Sequence, residues 1–131
     1  MSGVLHCPPE LYRGSVEGSE SGPCTARIDV RRLPGGCVGF DYEAVGAAGL
    51  QHVEHTVAAP GLLLVVQSEA GGVSIFDEVE EGVFEGPRGG PYARRLAVAW
   101  DGTTLTWAWH WAAAGDEPEE RSRAEVRLAQ C

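Results

Sequence analysis

Glycine and proline divide this chain into about ten short segments, and most of these alternate between apolar and polar residues. Alternation with a period of two is typical of a strand that buries one face. No segment of helical length carries an apolar stripe at the 3.6-residue spacing of a helix. We therefore predict strands over residues 10–17, 24–33, 37–45, 51–58, 62–69, 73–80, 82–86, 92–100, 103–113 and 121–129.

Sequential strands joined by short turns predict an all-β fold. A sheet of this many antiparallel strands with one apolar face either curls into a barrel or splits into a sandwich. Connections through short hairpins favour the barrel. We predict one domain over residues 1–131, a single antiparallel up-and-down β-barrel of about eight to ten strands whose interior is partly open. A half-open sheet would fit the same alternation.

A three-residue loop, Pro34-Gly35-Gly36, predicts the register of one hairpin. With this loop, apolar residues meet apolar residues on one face, and oppositely charged residues meet on the other. A one-residue slip would mix the two sets, so the register is well specified. The apolar pairs are Leu33 with Cys37, Val30 with Phe40, Ile28 with Tyr42, and Ala26 with Ala44.

A second hairpin is predicted around Asp101-Gly102, a dipeptide typical of a two-residue type I′ turn. One face of this hairpin is bulky and apolar, and the other is small and polar. The turn predicts four pairs on the bulky face: Trp100 with Thr103, Val98 with Leu105, Leu96 with Trp107, and Arg94 with Trp109.

Strands 51–58 and 62–69 lie between these two hairpins. On the first strand, Val53, His55 and Val57 share one face, and His52, Glu54 and Thr56 share the other. The valines predict that the face with His55 points inward. Strand 62–69 is apolar on both faces, so we expect both faces to be covered.

The row of short strands resembles a calycin-type barrel, the group that contains the lipocalins and the fatty-acid-binding proteins. The segment LYRG (11–14) stands where those barrels often open with a glycine-x-tryptophan strand, with Tyr12 in place of the tryptophan. Arg123 or Arg127 would be the late arginine that packs near the opening strand. The resemblance implies a cavity for an apolar or amphipathic small molecule and no particular chemistry.

Charge and composition exclude several classes of partner. A net charge of −9 disfavours nucleic acid and anionic membranes, because both attract basic surfaces. No run of eighteen apolar residues and no signal-peptide pattern occurs, so we expect a cytoplasmic protein. The four cysteines, of which Cys131 is the last residue, show no CxxC spacing and are expected to be free thiols.

Three tryptophans at alternate positions, Trp107, Trp109 and Trp111, form the strongest candidate for a binding surface. They are either part of an ordinary core or the aromatic wall of a ligand pocket. The pocket interpretation gains from residues that the same pattern turns inward. Arg94 would form a cation–π pair or anchor a bound carboxylate. The other predicted ligand-binding residues are Phe40, Tyr42, His55 and Tyr92.

The predicted function is therefore the binding of a small hydrophobic or amphipathic molecule inside the barrel. One alternative is a cyclase or isomerase that needs no cofactor and uses His55 or Tyr42 as its acid–base group. Another is an interaction module that forms a homodimer. A metal site of His52, Glu54 and His110 would require these residues to share a face. No catalytic or cofactor-binding motif is present, because GSESG (18–22) lacks the central serine of a nucleophile elbow.

Overall fold

A computed structural model describes residues 3–17, 23–68, 70–89, 93–112 and 116–129, and only the backbone of residues 70, 71 and 93. All ten predicted strands are present, within a few residues of their predicted limits. They are β1 Leu11–Glu17, β2 Cys24–Arg32, β3 Val38–Gly46, β4 Gly49–Ala59, β5 Leu62–Gln67, β6 Ala70–Glu80, β7 Val83–Gly86, β8 Ala93–Trp100, β9 Thr104–Ala112 and β10 Glu119–Leu128.

The strands form a closed antiparallel barrel in which each strand pairs with its neighbours in sequence. The first strand, β1, also pairs with the last, β10, and this pairing closes the barrel. The predicted all-β up-and-down barrel is thus confirmed. No helix among the described residues is long and apolar enough to cross a membrane.

The hairpin of β2 and β3 has the predicted register. Val30 pairs with Phe40, Ile28 with Tyr42, and the amide of Leu33 donates to the carbonyl of Cys37 at 3.0 Å. Gly35 and Gly36 adopt positive φ angles of 76° and 78°, which glycine tolerates without strain. The proline-glycine-glycine loop therefore specifies this hairpin as its chemistry indicates.

The hairpin of β8 and β9 has the predicted faces, but its register differs from the prediction by two residues. Trp100 pairs with Leu105, not with Thr103, and Arg94 pairs with Trp111, not with Trp109. The side chain of Asp101 explains the longer loop, because its Oδ1 accepts the amides of Thr103 at 2.8 Å and Thr104 at 2.7 Å. These bonds stabilise a three-residue connection, Asp101 to Thr103, over the predicted two-residue turn.

A short 3₁₀ helix, Gly3–His6, covers one end of the barrel, and the sequence patterns gave no indication of it. Val4 and Leu5 are buried in the core, and the helix packs against β4 and β8. Nearby, Tyr12 is buried edge-on against Trp100 at 5.5 Å between ring centres, and its hydroxyl donates to the carbonyl of Pro8 at 2.9 Å. Burial raises the pKa of the Tyr12 hydroxyl above its ordinary value.

Both candidate late arginines lie beside the opening strand β1, opposite Arg13 and Glu17, and they are on its outer face. Arg123 pairs with Glu120, and Arg127 donates to the hydroxyl of Thr104 at 3.2 Å. Alternation along β10 explains this, since its inward positions belong to Ala124 and Val126. Either arginine is thus near the opening strand, but neither side chain points into the barrel.

The outer face of β5 differs from its predicted environment. Leu63 and Val65 point into the core, whereas Leu62 and Leu64 are half-buried and Val66 is 42% exposed. No described element covers this outer face, so the expectation that both faces of the strand are covered is wrong. An apolar run by itself does not distinguish a doubly covered strand from one with an apolar outer face.

Candidate functional site

The faces of β4 are the reverse of the predicted ones. Glu54 and Thr56 are buried inside the barrel at 0% and 2% exposure, whereas the side chain of His55 is 62% exposed on the outside. There His55 Nδ1 lies 2.7 Å from Oδ1 of Asp41. His55 therefore does not line the interior, and the prediction that it does so is wrong.

Pairing with β3 explains the inversion. Directly opposite residues of an antiparallel pair share a face. Tyr42 pairs with Glu54, and Phe40 pairs with Thr56, so the inward aromatic residues of β3 turn these polar residues inward. The valines of β4 then lie half-buried on the outside.

Glu54 bridges the lumen from one wall to the opposite wall. In the closed strand order, four strands separate β4 from β9 on either side. Even so, Nε1 of Trp107 donates to Oε1 of Glu54 at 3.3 Å, and Nε1 of Trp109 donates to Oε2 at 2.8 Å. Nε2 of His52 lies 2.7 Å from the same Oε2. We call Glu54 with its three partners, His52, Trp107 and Trp109, the Glu54 cluster.

The Glu54 cluster satisfies the strictest requirement of a buried carboxylate, which is to accept hydrogen bonds from enough donors. Hydrogen bonds to a charged group contribute about 1.5–3 kcal/mol each. The two indole N–H groups donate to the carboxylate, and Nε2 of His52 shares a proton with its Oε2. Tyr42 packs edge-on against both His52 at 5.4 Å and Trp107 at 6.5 Å, which restricts the orientation of both rings.

Two buried polar atoms beside Glu54 lack hydrogen-bond partners in the part of the chain that the structure describes. The hydroxyl of Thr56, two residues along β4 on the same face, has no hydrogen-bond partner among the described residues. Nε2 of Gln67 is also buried without a partner in that part of the chain, and Gln67 pairs directly with Glu54 across β4 and β5. Buried polar atoms are nearly always paired in folded proteins, so two exceptions at one place mark a special environment.

Below the Glu54 cluster, aromatic rings fill the lumen. Phe40 contacts Trp107 with 5.2 Å between ring centres, and Phe76 contacts Trp109 at 5.5 Å. Both pairs join strands that are not neighbours in the sheet. This level of the barrel is therefore a packed core.

Above the Glu54 cluster, the inward residues are only half-buried. Because β4 and β9 are antiparallel, His52 and Trp111 both lie toward the same end, away from the 3₁₀ helix. Arg94 pairs with Trp111 and shares the face of buried Leu96. It makes no ion pair with any described residue. We call the half-buried inward residues of this end the His52 rim: His52, Gln67, Arg94 and Trp111.

The predicted site residues divide among several places. Phe40, Tyr42, Trp107 and Trp109 are buried in the core or the Glu54 cluster, and Arg94 and Trp111 lie in the His52 rim. Tyr92 lies outside the described residues. Sequence reasoning placed Glu54, Thr56 and His52 on the outside and did not single out Gln67.

The possible metal site is not formed. His110 lies on the outer face of β9, where it pairs with Glu120, whereas His52 and Glu54 lie inside. Within the described ranges, no three potential ligands converge. The described cysteines, Cys7, Cys24 and Cys37, are free thiols, as expected.

One signal in the sequence could have located Glu54. An indole N–H that is buried needs an acceptor. Three tryptophans were predicted to point inward, but the predicted inward set contained no carboxylate or amide oxygen to accept from them. Glu54 supplies that acceptor.

Comparison with known proteins identifies the fold and no family. No protein-family model matches the chain, and a search of curated proteins found no significant match. The chain is similar to the crystal structure of Rv2717c from M. tuberculosis, with a TM-score of 0.67 and 13% sequence identity. The similarity covers 98% of this chain and 97% of that one. At this identity the two chains share a barrel fold, and the likeness carries no function.

Proposed function

We propose that this protein binds a small amphipathic molecule at the His52 rim, with the polar end of the molecule directed toward the Glu54 cluster. A single observation carries the proposal: a fully buried carboxylate spans the lumen beside two buried polar groups, the hydroxyl of Thr56 and Nε2 of Gln67, that have no partner in the described part of the chain. Stability alone favours apolar packing at such a position, because a partly satisfied polar network is worse than an apolar core. Convergent polar groups in an aromatic setting are typical of ligand sites.

The apolar part of the ligand would contact the aromatic residues of the rim. Trp111 is half-buried there, and Tyr42 and Trp109 lie just below it. Apolar contact would supply most of the affinity, and the polar groups would supply the selectivity. The calycin-type resemblance supports the proposal, since lipocalin barrels hold one small ligand in their interior.

Titration with N-phenyl-1-naphthylamine, an uncharged fluorescent probe, tests the proposal. We expect saturable fluorescence enhancement with one site per chain. Trp111→Ala should weaken binding about tenfold, the typical effect of removing a central aromatic contact. Native mass spectrometry of the freshly purified protein would in addition identify any retained small molecule.

Trp100→Ala is the matched control, because Trp100 is also partly buried but packs against Tyr12 at the opposite end. It should leave the affinity for the probe unchanged. The proposal fails if the probe shows no saturable binding, or if both variants weaken binding equally in folded protein.

A second candidate is acid–base catalysis on the bound molecule by His52, in place of the predicted His55. The observation that favours it is the 2.7 Å contact of His52 Nε2 with Glu54, since a carboxylate that orients an imidazole is typical of catalytic histidines. Deuterium exchange next to the carbonyl of 2-tetralone in D₂O, followed by NMR, tests it. If the wild-type protein exchanges deuterium into 2-tetralone no faster than His52→Gln does, this candidate is rejected.

A further inference from the structure

Among the described residues, one position of the Glu54 carboxylate has no hydrogen-bond donor. An ionised carboxylate accepts about four hydrogen bonds. Oε2 is occupied by Trp109 at 2.8 Å and His52 at 2.7 Å, whereas Oε1 accepts a single long bond from Trp107 at 3.3 Å. Oε1 can therefore accept another donor without losing a partner.

Gln67 supplies an unused donor next to this unused acceptor. The two residues are direct partners across β4 and β5, so their side chains leave the sheet side by side on the inner face. Nε2 of Gln67 is buried and has no acceptor among the described residues. Gln67 as a whole is half-buried and belongs to the His52 rim, so a molecule at the rim reaches it first.

Thr56 adds a third unpaired group on the same face. Its side chain is 98% buried, as its 2% exposure shows, and its hydroxyl has no partner in the described part of the chain. Thr56 pairs with Phe40 at the packed level, so a molecule at the His52 rim pairs instead with Oε1 of Glu54 and Nε2 of Gln67. Because unpaired buried polar groups are costly, such a ligand gains affinity from both contacts.

We propose that the ligand presents an N–H group directly beside a C=O group on one edge of a planar ring, as lactams and cyclic imides do. This inference rests on the proposed function. The ring N–H donates to Oε1 of Glu54, and the ring carbonyl accepts from Nε2 of Gln67. The flat ring would lie against the aromatic side chains of Trp109 and Tyr42, which both point inward beside Glu54.

The same pairing rejects other amphipathic molecules. A carboxylate ligand would meet the carboxylate of Glu54 and be repelled. An ether or ester presents acceptors alone and leaves Oε1 of Glu54 unpaired. The Glu54–Gln67 pair therefore selects a lactam edge over a fatty acid of similar apolar area.

Isothermal titration calorimetry with three planar probes tests the inference. The probes are 2-quinolone, which has both groups, N-methyl-2-quinolone, which lacks the N–H, and quinoline, which lacks both. We expect 2-quinolone to bind about 10- to 100-fold more tightly than N-methyl-2-quinolone, the effect of one hydrogen bond to a charged group. Glu54→Gln should abolish this preference.

Gln67→Leu provides a second variant in case Glu54→Gln does not fold. It should weaken both quinolones about 3- to 10-fold relative to quinoline, the effect of one neutral hydrogen bond, and keep the preference for the N–H probe. Gln51→Leu is the matched control, because Gln51 is also half-buried on β4 but donates to the carbonyl of Gly49. It should change none of the three affinities.

The outcomes separate this inference from the proposed function. Equal affinity for 2-quinolone and its N-methyl analogue overturns the inference, as does Gln67→Leu behaving like Gln51→Leu. If neither quinolone binds but N-phenyl-1-naphthylamine does, the inference fails and the proposed function stands. If no probe binds, both fail.

Discussion

The burial of Glu54 is stabilised because three ring nitrogens converge on its carboxylate. Two come from tryptophans that lie 53 and 55 residues away along the chain, and the third comes from His52 on the same strand. Each indole N–H would be unpaired without Glu54, and Glu54 would be an uncompensated charge without them. Glu54 and its partners therefore depend on one another. Removing one partner destabilises the fold by more than the hydrogen bond between the two stabilises it.

Glu54→Gln should destabilise the protein although it preserves shape. The amide offers one acceptor oxygen and turns an NH₂ group toward the donors of the Glu54 cluster, so at least one N–H loses its acceptor. We expect the free energy of unfolding to fall by about 1–3 kcal/mol, measured by urea denaturation.

Glu43→Gln is the control for the loss of charge. Glu43 is exposed on the outer face of β3, and its replacement should change stability by less than about 0.5 kcal/mol. Equal urea midpoints for the two variants would show that the hydrogen bonds of Glu54 do not contribute to stability.

Among the elements, the pair of β1 and β10 closes the barrel, and Gly14 controls how closely these strands approach. A Cβ atom on Gly14 would lie 1.8 Å from the backbone carbonyl oxygen of Glu125. We expect Gly14→Ala to separate the two strands and to cost about 3 kcal/mol or more.

Urea denaturation followed by far-UV circular dichroism measures this effect. Ser15→Ala, an exposed substitution on the same strand, should have little effect. Similar stability of the two variants would show that the pair of β1 and β10 adjusts to the added methyl group.

The turn between β8 and β9 should make stability depend on pH. Backbone hydrogen bonds from Thr104 and Thr103 hold the pKa of Asp101 below its ordinary value of 3.8. A depressed folded-state pKa contributes stability above the unfolded pKa, and this stability is lost as the pH falls through the folded pKa.

Asp101→Ala should therefore melt at a lower temperature than the wild type at pH 7. The difference between the two melting temperatures should narrow as the pH is lowered below 3.8. Melting temperatures measured by circular dichroism from pH 7 to pH 2 check this. A constant difference over that range would contradict the assigned role of the carboxylate.

At the scale of the whole molecule, the outer surface divides into a charged side and an apolar side. Strands β1, β2, β3 and β10 carry outward arginines and acids, such as the ion pair of Arg31 with Asp41. The outer faces of β4, β5 and β6 carry mainly apolar residues: Val57, Leu62, Leu64, Val66, Val73 and Ile75.

The apolar side is smaller than a typical homodimer interface. Three strands about 4.8 Å apart and five residues at about 3.3 Å each give roughly 240 Å². A typical stable interface buries about 800 Å² per partner. We expect light scattering at micromolar concentration to give the mass of one chain. A measured mass of two chains, which Val66→Glu reduces to the mass of one chain, would support a homodimer through this surface.

The two ends of the barrel also differ. The 3₁₀ helix and the Tyr12–Trp100 contact cover one end, whereas the other end carries the half-buried His52 rim. Among the described residues, the covering groups therefore lie at one end only. This asymmetry was not predictable from strand patterns, because each strand contributes inward residues to both ends.

Local chemistry determined the strands and one complete hairpin. The period of two and the Pro34-Gly35-Gly36 loop act over a few residues, so β2 and β3 were predictable in register and in face. The same patterning placed Trp107 and Trp109 inside. The β8–β9 turn shows the limit of this approach, since one side-chain acceptor, Asp101, changed the loop length.

The tertiary structure alone decided which face of β4 is buried and what Glu54 contacts. Apolar content made the valine face of that strand the expected inner face, and pairing with Tyr42 reversed it. Glu54 meets the two tryptophans only because ten strands close into a ring that sets β4 opposite β9. A sequence pattern predicts the environment of a residue only from its neighbours on the same strand. The acceptor that a buried N–H requires came from the opposite wall of the barrel.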